Sequence, residues 1–147
     1  MKELLKDYPG LQEFHIEGVK HITPADAFQL ISSRQAVLID VREQDEIEYE
    51  QIPLDQVLYY PMTVIADKLG NISSDQNILL ICPGGVRSTK VANFLNLQSY
   101  PNVANVDGGF LTWRKQGLPF ETMLTVSGGG CSGCSSASAG KSGSSCC

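Results

Sequence analysis

One stretch of this chain has the residue types and the spacing for nucleophilic chemistry at sulfur. Cys82 follows the apolar run Ile78-Leu79-Leu80-Ile81 and precedes Pro83-Gly84-Gly85-Val86-Arg87-Ser88-Thr89. The run predicts a buried strand, and the residues after the glycines predict a helix. A strand, a tight loop and a helix N-terminus together make an anion site, because backbone N–H groups converge there and the helix dipole adds partial positive charge. A thiol in such a place is expected to ionise readily, and the thiolate is the nucleophile. Gly84 and Gly85 let the backbone curl around the sulfur where a Cβ would clash. Arg87 adds a permanent positive charge at the rim. The competing reading is an inert buried cysteine beside an ordinary strand-to-helix turn. The glycines, the arginine and Ser88 falling into place together weigh against it.

The rest of the pattern says what must position this loop. Apolar runs recur at Ala36–Ile39, Val57–Tyr60, Ile78–Ile81 and Val103–Val106, with a weaker one at Val19–Ile22. The continuous runs fit strands buried on both faces, as in a parallel sheet. Helical signals lie between them. Thr23 can cap a helix that opens with Pro24 and Asp26 and runs to about Ser33. The spacing predicts a short helix over Thr63–Leu69, closed by Gly70, a longer one over Val86–Leu97, and a last one over Gly109–Gln116. Strands alternating with helices imply an α/β fold around a parallel sheet. A domain over 1–126 is expected, followed by a Gly/Ser/Cys-rich tail over 127–147. That tail has too few apolar side chains to offset its ordering entropy and is expected to be flexible.

Composition narrows the function classes. With 147 residues, 42% hydrophobic and 18% charged, the chain is ordinary for one globular domain. Its formal net charge of −5 supplies no basic face for a phosphate backbone, so neither nucleic acid nor an anionic membrane is an expected partner. The opening MKELLKDYPG has no apolar stretch of signal-peptide length, and no run reaches membrane-spanning length. The expected location is the cytoplasm. Of the five cysteines, only Cys82 lies in the apolar-patterned body, which excludes a disulfide framework there. The two histidines, His15 and His21, lie far from the loop in sequence and are assigned no catalytic role. No metal site in the body and no cofactor are expected.

The loop resembles the signature of the rhodanese family, Cys-x-x-Gly-x-Arg-Ser/Thr, with Cys82, Gly85, Arg87 and Ser88 in place. Asp40-Val41-Arg42 resembles the family's Asp-Val-Arg motif. Asp107-Gly108-Gly109 with Trp113 and Gly117-Leu118-Pro119 resembles its C-terminal signature. The likeness runs from about His21 to Phe120. It implies a three-layer α/β/α fold whose parallel sheet of about five strands has the order 3-2-4-5-1. It also implies a sulfurtransferase that carries sulfur as a persulfide on Cys82. The sulfur would come from a small donor (thiosulfate, polysulfide or persulfide) and go to a thiol acceptor such as a thioredoxin-like protein. A monomer is expected.

The chain also departs from the pattern. Where the family has Gly-His-Ile-Pro-Gly-Ala, this chain has Glu50-Gln51-Ile52-Pro53-Leu54-Asp55. Pro83 stands where many relatives have a basic residue, so the loop loses one N–H and one charge, which disfavours thiosulfate as the preferred donor. Two other readings of the same fold compete. A phosphatase is disfavoured because only four residues separate Cys82 from Arg87, fewer than in the related dual-specificity phosphatases. A non-catalytic rhodanese-like binding module is disfavoured because Cys82 is present.

Supporting residues carry open alternatives. Asp40 either orients Arg87, pairs with Arg42 beneath the loop, or caps the next helix. Trp113 is expected in the core with Phe110. Cys131 and Cys134 form a C-x-x-C, and Cys146-Cys147 is a vicinal pair. These thiols either relay sulfur from Cys82, bind zinc or copper(I), or have no specific role.

Overall fold

The computed structural model describes residues 1–122 of the chain. Strands β1 (Lys20–Ile22), β2 (Val37–Asp40), β4 (Val57–Tyr59), β5 (Ile78–Ile81) and β6 (Val103–Val106) form one parallel sheet in the order β1-β6-β5-β2-β4. Counted along the chain and read from the other edge, that order is the expected 3-2-4-5-1. Two short strands, β3 (Glu50–Gln51) and β7 (Glu121–Thr122), pair antiparallel outside it.

The sheet is covered on both sides, which explains its continuous apolar runs. Period-2 alternation sends Val37, Ile39, Ile78, Leu80, Cys82 and Val103 to one face and Leu38, Leu79, Ile81, Ala104 and Val106 to the other. Helix α3 (Val86–Leu97) covers the first face with Val91, Ala92 and Leu95. Helices α1 (Pro24–Ser32) and α4 (Gly109–Lys115) cover the second with Leu30, Ile31, Phe110 and Trp113. Each fully buried Leu or Ile stabilises the fold by about 1.5–3 kcal/mol. Trp113 is fully buried, as expected, with its indole N–H donating to Pro119 O at 2.7 Å. Cys82 therefore lies on the α3 side of the sheet.

Helix starts follow the sequence signals. Thr23 Oγ1 accepts Asp26 N–H at 3.3 Å, with Pro24 in the first turn. Residues 63–69 differ from expectation. The short helix is of the 3₁₀ type, begins at Ile65 and runs through Gly70 to Asn71 instead of closing at Gly70. Only Ile65 is buried within it, so no apolar stripe pays for α-helical winding, and Gly70-Asn71 are poor helix formers. Tyr100 Oη donates to Leu69 O and Ile72 O at 3.0 and 3.1 Å and holds this segment to the sheet. The divergent stretch after the Asp-Val-Arg motif still buries Ile52 under the α4 face.

Two features were not located by the sequence reading. Helix α2 (Gln44–Tyr49) buries only Ile47 and is held by a capping box, in which Glu43 N–H donates to Glu46 Oε1 at 2.9 Å. The N-terminal segment wraps back over the sheet's carboxyl edge. Lys6 and His21 exchange backbone hydrogen bonds at 2.8 and 2.9 Å, and Gly10 N–H and Leu11 N–H donate to the buried Asp107 carboxylate. No helix among the described residues is long and apolar enough to cross a membrane. The expected boundary at residue 126, the tail, and Cys131 and Cys134 lie outside the described residues.

Candidate active site

Strand β5 delivers Cys82 to the carboxyl end of the sheet, where open α/β folds place their sites. Gly85 has φ +93°, a left-handed conformation that glycine adopts without strain, and this turns the chain into α3. No side chain of the preceding loop caps α3. The cysteine sulfur takes that place. Gly85 N–H donates to Cys82 Sγ at 3.1 Å and Ser88 N–H at 3.3 Å, so two N–H groups at the helix start point at one sulfur atom. N–H groups placed this way can stabilise negative charge at the position they face. The floor of the loop comes from α4. Phe110 N–H donates to Cys82 O at 2.8 Å and Leu111 N–H to Pro83 O at 3.0 Å. A Cβ on Gly109 would strike Cys82 O, so that glycine is required by close approach as well as by its φ of +68°.

Cys82 is 1% exposed, while Gly84 and Val86 stand at the surface and Pro83 is half-buried. Arg87 reaches to α2. Its Nη1 and Nη2 donate to Glu46 Oε1 and Oε2, each at 2.8 Å. This bidentate pair holds the Glu46 carboxyl down at about 2, against an ordinary value of 4.5, and raises the proton affinity of Arg87 further. Glu46 was missed in the sequence. Its only signal was the spacing Glu43-x-x-Glu46 after the Asp-Val-Arg motif, and Glu is an uncommon N-cap residue.

Asp40 does not orient Arg87, and the helix after it is capped by Glu43 and Glu46. It pairs instead with Arg42, one of the alternatives. Arg42 Nη2 donates to Asp40 Oδ2 at 2.8 Å, Arg42 Nε to both carboxylate oxygens, and the Arg42 backbone N–H to Oδ1. Both residues are buried. Arg42 also donates to Glu50 O at 2.6 Å and lies 4.4 Å over the Phe110 ring, so the pair ties β2 to β3 and α4 beside the loop.

The acid response of the Glu46–Arg87 pair is a direct consequence of that lowered value. Its stabilisation is fully present above pH 4.5 and is lost as pH falls toward about 2, because the folded state must then give up the ion pair to take a proton. Glu46→Gln should therefore show a shallower fall in Tm than wild type between those two pH values. Parallel melting curves across that window would mean that the pair adds no stability.

The sequence pattern of the rhodanese-like domain matches residues 23–116. This chain belongs to the rhodanese-like domain family. The thiosulfate sulfurtransferase GlpE of Actinobacillus succinogenes is 33% identical over 105 residues, covering 71% of this chain and 93% of the relative. A sulfurtransferase of Allochromatium vinosum is 32% identical over 91 residues, covering 62% and 83%. The crystal structure of a rhodanese-related protein from Thermoplasma volcanium superposes with a TM-score of 0.62 at 27% identity, over 69% of this chain and 96% of that one. The protein is thus a rhodanese-type sulfurtransferase. The match begins at Thr23, after the wrapped N-terminal segment and β1.

Proposed function

We propose that Cys82 carries sulfane sulfur as a persulfide, taking it from a small anionic donor and passing it to a thiol. The observation that carries this reading is the convergence of Gly85 N–H and Ser88 N–H on Sγ at the start of α3. The thiolate attacks the outer sulfur of thiosulfate or a polysulfide. A new S–S bond forms, the donor's own S–S bond breaks, and the leaving group departs with the electron pair. Cys82–S–S⁻ remains, its charge facing the loop amides. An acceptor thiolate then attacks the terminal sulfur and Cys82 leaves as thiolate, which gives ping-pong kinetics. The apolar side chains of Leu11, Val86 and Leu111, exposed beside a groove of about 630 Å³, offer a docking rim for a thiol-bearing protein of the thioredoxin-like kind. A phosphatase of the same fold is disfavoured by the loop length, since only four residues separate Cys82 from Arg87.

Intact mass spectrometry after incubation with thiosulfate and with polysulfide tests the carrier role. The mass should rise by one sulfur atom and return on adding cyanide, with the label on the peptide bearing Cys82. Uptake confined to other cysteines would overturn the proposal. Donor preference has a separate test. Pro83 offers no N–H and no charge, and Glu46 neutralises Arg87, so the mouth suits a dianion poorly. Pro83→Arg should raise kcat/KM for thiosulfate by about tenfold, the value of one charge-assisted contact of about 1.5 kcal/mol. Unchanged or lower kcat/KM with the fold intact would count against this electrostatic account.

A further inference from the structure

Behind the loop, a chain of polar side chains runs from Cys82 to the wrapped N-terminal segment, and its donors and acceptors can be assigned one after another. Gly108 N–H can only donate, and it lies 2.8 Å from Gln12 Oε1. The other end of that amide, Gln12 Nε2, faces Phe14 O at 2.9 Å and Gly85 O at 3.2 Å, which can only accept. The Gln12 amide therefore has one orientation. Gln12 Oε1 next accepts from Asn105 Nδ2 at 3.0 Å, which fixes the Asn105 amide as well. Asn105 Oδ1 is left facing Ser88 Oγ at 2.5 Å, and Ser88 must donate to it. Ser88 Oγ also lies 3.3 Å from Cys82 Sγ, but it has one proton and that proton is taken. The sulfur meets the lone pairs of the hydroxyl.

The same assignment runs outward. Asn105 Nδ2 donates to His21 Nδ1 at 3.0 Å, so neutral His21 carries its proton on Nε2 and donates it to His15 Nδ1 at 2.9 Å. Burial first, and the neighbouring His15 second, lower the proton affinity of His21, which agrees with the neutral form. Ser88, Asn105 and His21 are each buried to 1% or less. Gln12 packs so closely on the loop that a Cβ on Gly85 would occupy the place of its amide.

From this chain we infer that Gln12 is a positioning residue for the chemistry of Cys82. It locks Asn105, Asn105 takes the Ser88 proton, and the Ser88 hydroxyl is thereby turned away from the sulfur. The backbone N–H groups favour the thiolate, and the locked hydroxyl opposes it and accepts from the thiol. Releasing the lock lets the Asn105 amide flip, with neutral His21 moving its proton to Nδ1 to donate to Asn105 and accepting from His15 Nδ1 at Nε2. The Ser88 proton is then turned toward the sulfur, where it favours the thiolate. The inference rests on the reading of Cys82 as the sulfur carrier.

The test is the rate of iodoacetamide alkylation at neutral pH, measured by mass spectrometry on the peptide bearing Cys82 in the full chain. Four proteins form a cycle: wild type, Ser88→Ala, Gln12→Met, and the double variant. Ser88→Ala should speed alkylation in the wild-type background, where it removes opposing lone pairs. It should slow alkylation in the Gln12→Met background, where it removes a donor. Each change should be about threefold to tenfold, since a hydrogen bond to a charged sulfur raises thiolate content more than it lowers nucleophilicity. A merely structural role for Gln12 would give Ser88→Ala the same sign in both backgrounds, and that result overturns the inference. Gln12→Ala, which keeps the Gly10 and Leu11 bonds to Asp107, repeats the cycle if Gln12→Met does not fold. Sulfur uptake without the inversion of sign removes this inference and keeps the carrier reading. Inversion without sulfur uptake supports the hydrogen-bond assignment and removes the carrier reading.

Discussion

Replacing Cys82 with serine is expected to lower sulfur transfer by about 10⁴-fold or more, because the hydroxyl is a far weaker nucleophile at neutral pH and no persulfide can form on it. The fold should survive. The change is nearly isosteric, and the Gly85 and Ser88 N–H groups that point at Sγ can point at a hydroxyl oxygen. A cost of about 1 kcal/mol is expected for placing a hydroxyl in a site that is 1% exposed. The measurement is turnover with several sulfane donors, together with a melting curve to establish that the protein is folded. Near-wild-type turnover by a folded Cys82→Ser protein would move the nucleophile elsewhere in the chain, to Cys131 or Cys134 in the first instance. The same protein isolates the tail. If Cys131 and Cys134 relay sulfur from Cys82, they should acquire none from thiosulfate in the serine variant.

The second large effect is on stability. Asp40→Ala should destabilise the protein by about 3–5 kcal/mol, because it leaves the Arg42 guanidinium buried with no carboxylate. The Asp40 side chain is 0% exposed and that of Arg42 is 4% exposed, so water cannot replace the lost partner without local opening. Glu50 O and the face of Phe110 remain, and neither carries a full negative charge. In urea, the midpoint should fall by about 2 M at a slope of about 2 kcal/mol/M. The double change Asp40→Ala with Arg42→Met should recover part of the loss, since removing both charges costs less than stranding one. A loss under about 1 kcal/mol for Asp40→Ala would show that water reaches Arg42. Because this pair joins β2 to β3 and α4, and α4 carries the floor of the Cys82 loop, sulfur transfer should fall along with stability.

What could be read from the residues was local in sequence. The run Ile78–Ile81, the two glycines and the helix that opens at Val86 act within a dozen positions, and backbone sterics, dipoles and burial period determine them whatever else the chain does. The parallel sheet followed from the same kind of signal, as did Thr23 capping α1 and Trp113 in the core. The strand order came from likeness to a family, since apolar period alone does not say which strand lies beside which.

The partnerships across the site were not legible, and the reason is the same in each case. Arg87 and Glu46 are 41 positions apart, Gln12 and Asn105 are 93 apart, and Asn105 and His21 are 84 apart. Polar residues leave no periodic trace, and each of these has several partners it could satisfy equally well. The choice is made only when the sheet brings β1, β5 and β6 side by side and burial denies water to whatever lies between. The 3₁₀ turn at Ile65–Asn71 shows the limit from the other side, because a helix with one buried residue takes its shape from its neighbours. By itself the sequence determined that Cys82 sits at the mouth of an α/β sheet with backbone donors aimed at it. Only the tertiary structure decided that Arg87 answers to Glu46 and that the hydroxyl beside the sulfur is governed from Gln12, because long-range hydrogen-bond partners are selected by enclosure and not by spacing along the chain.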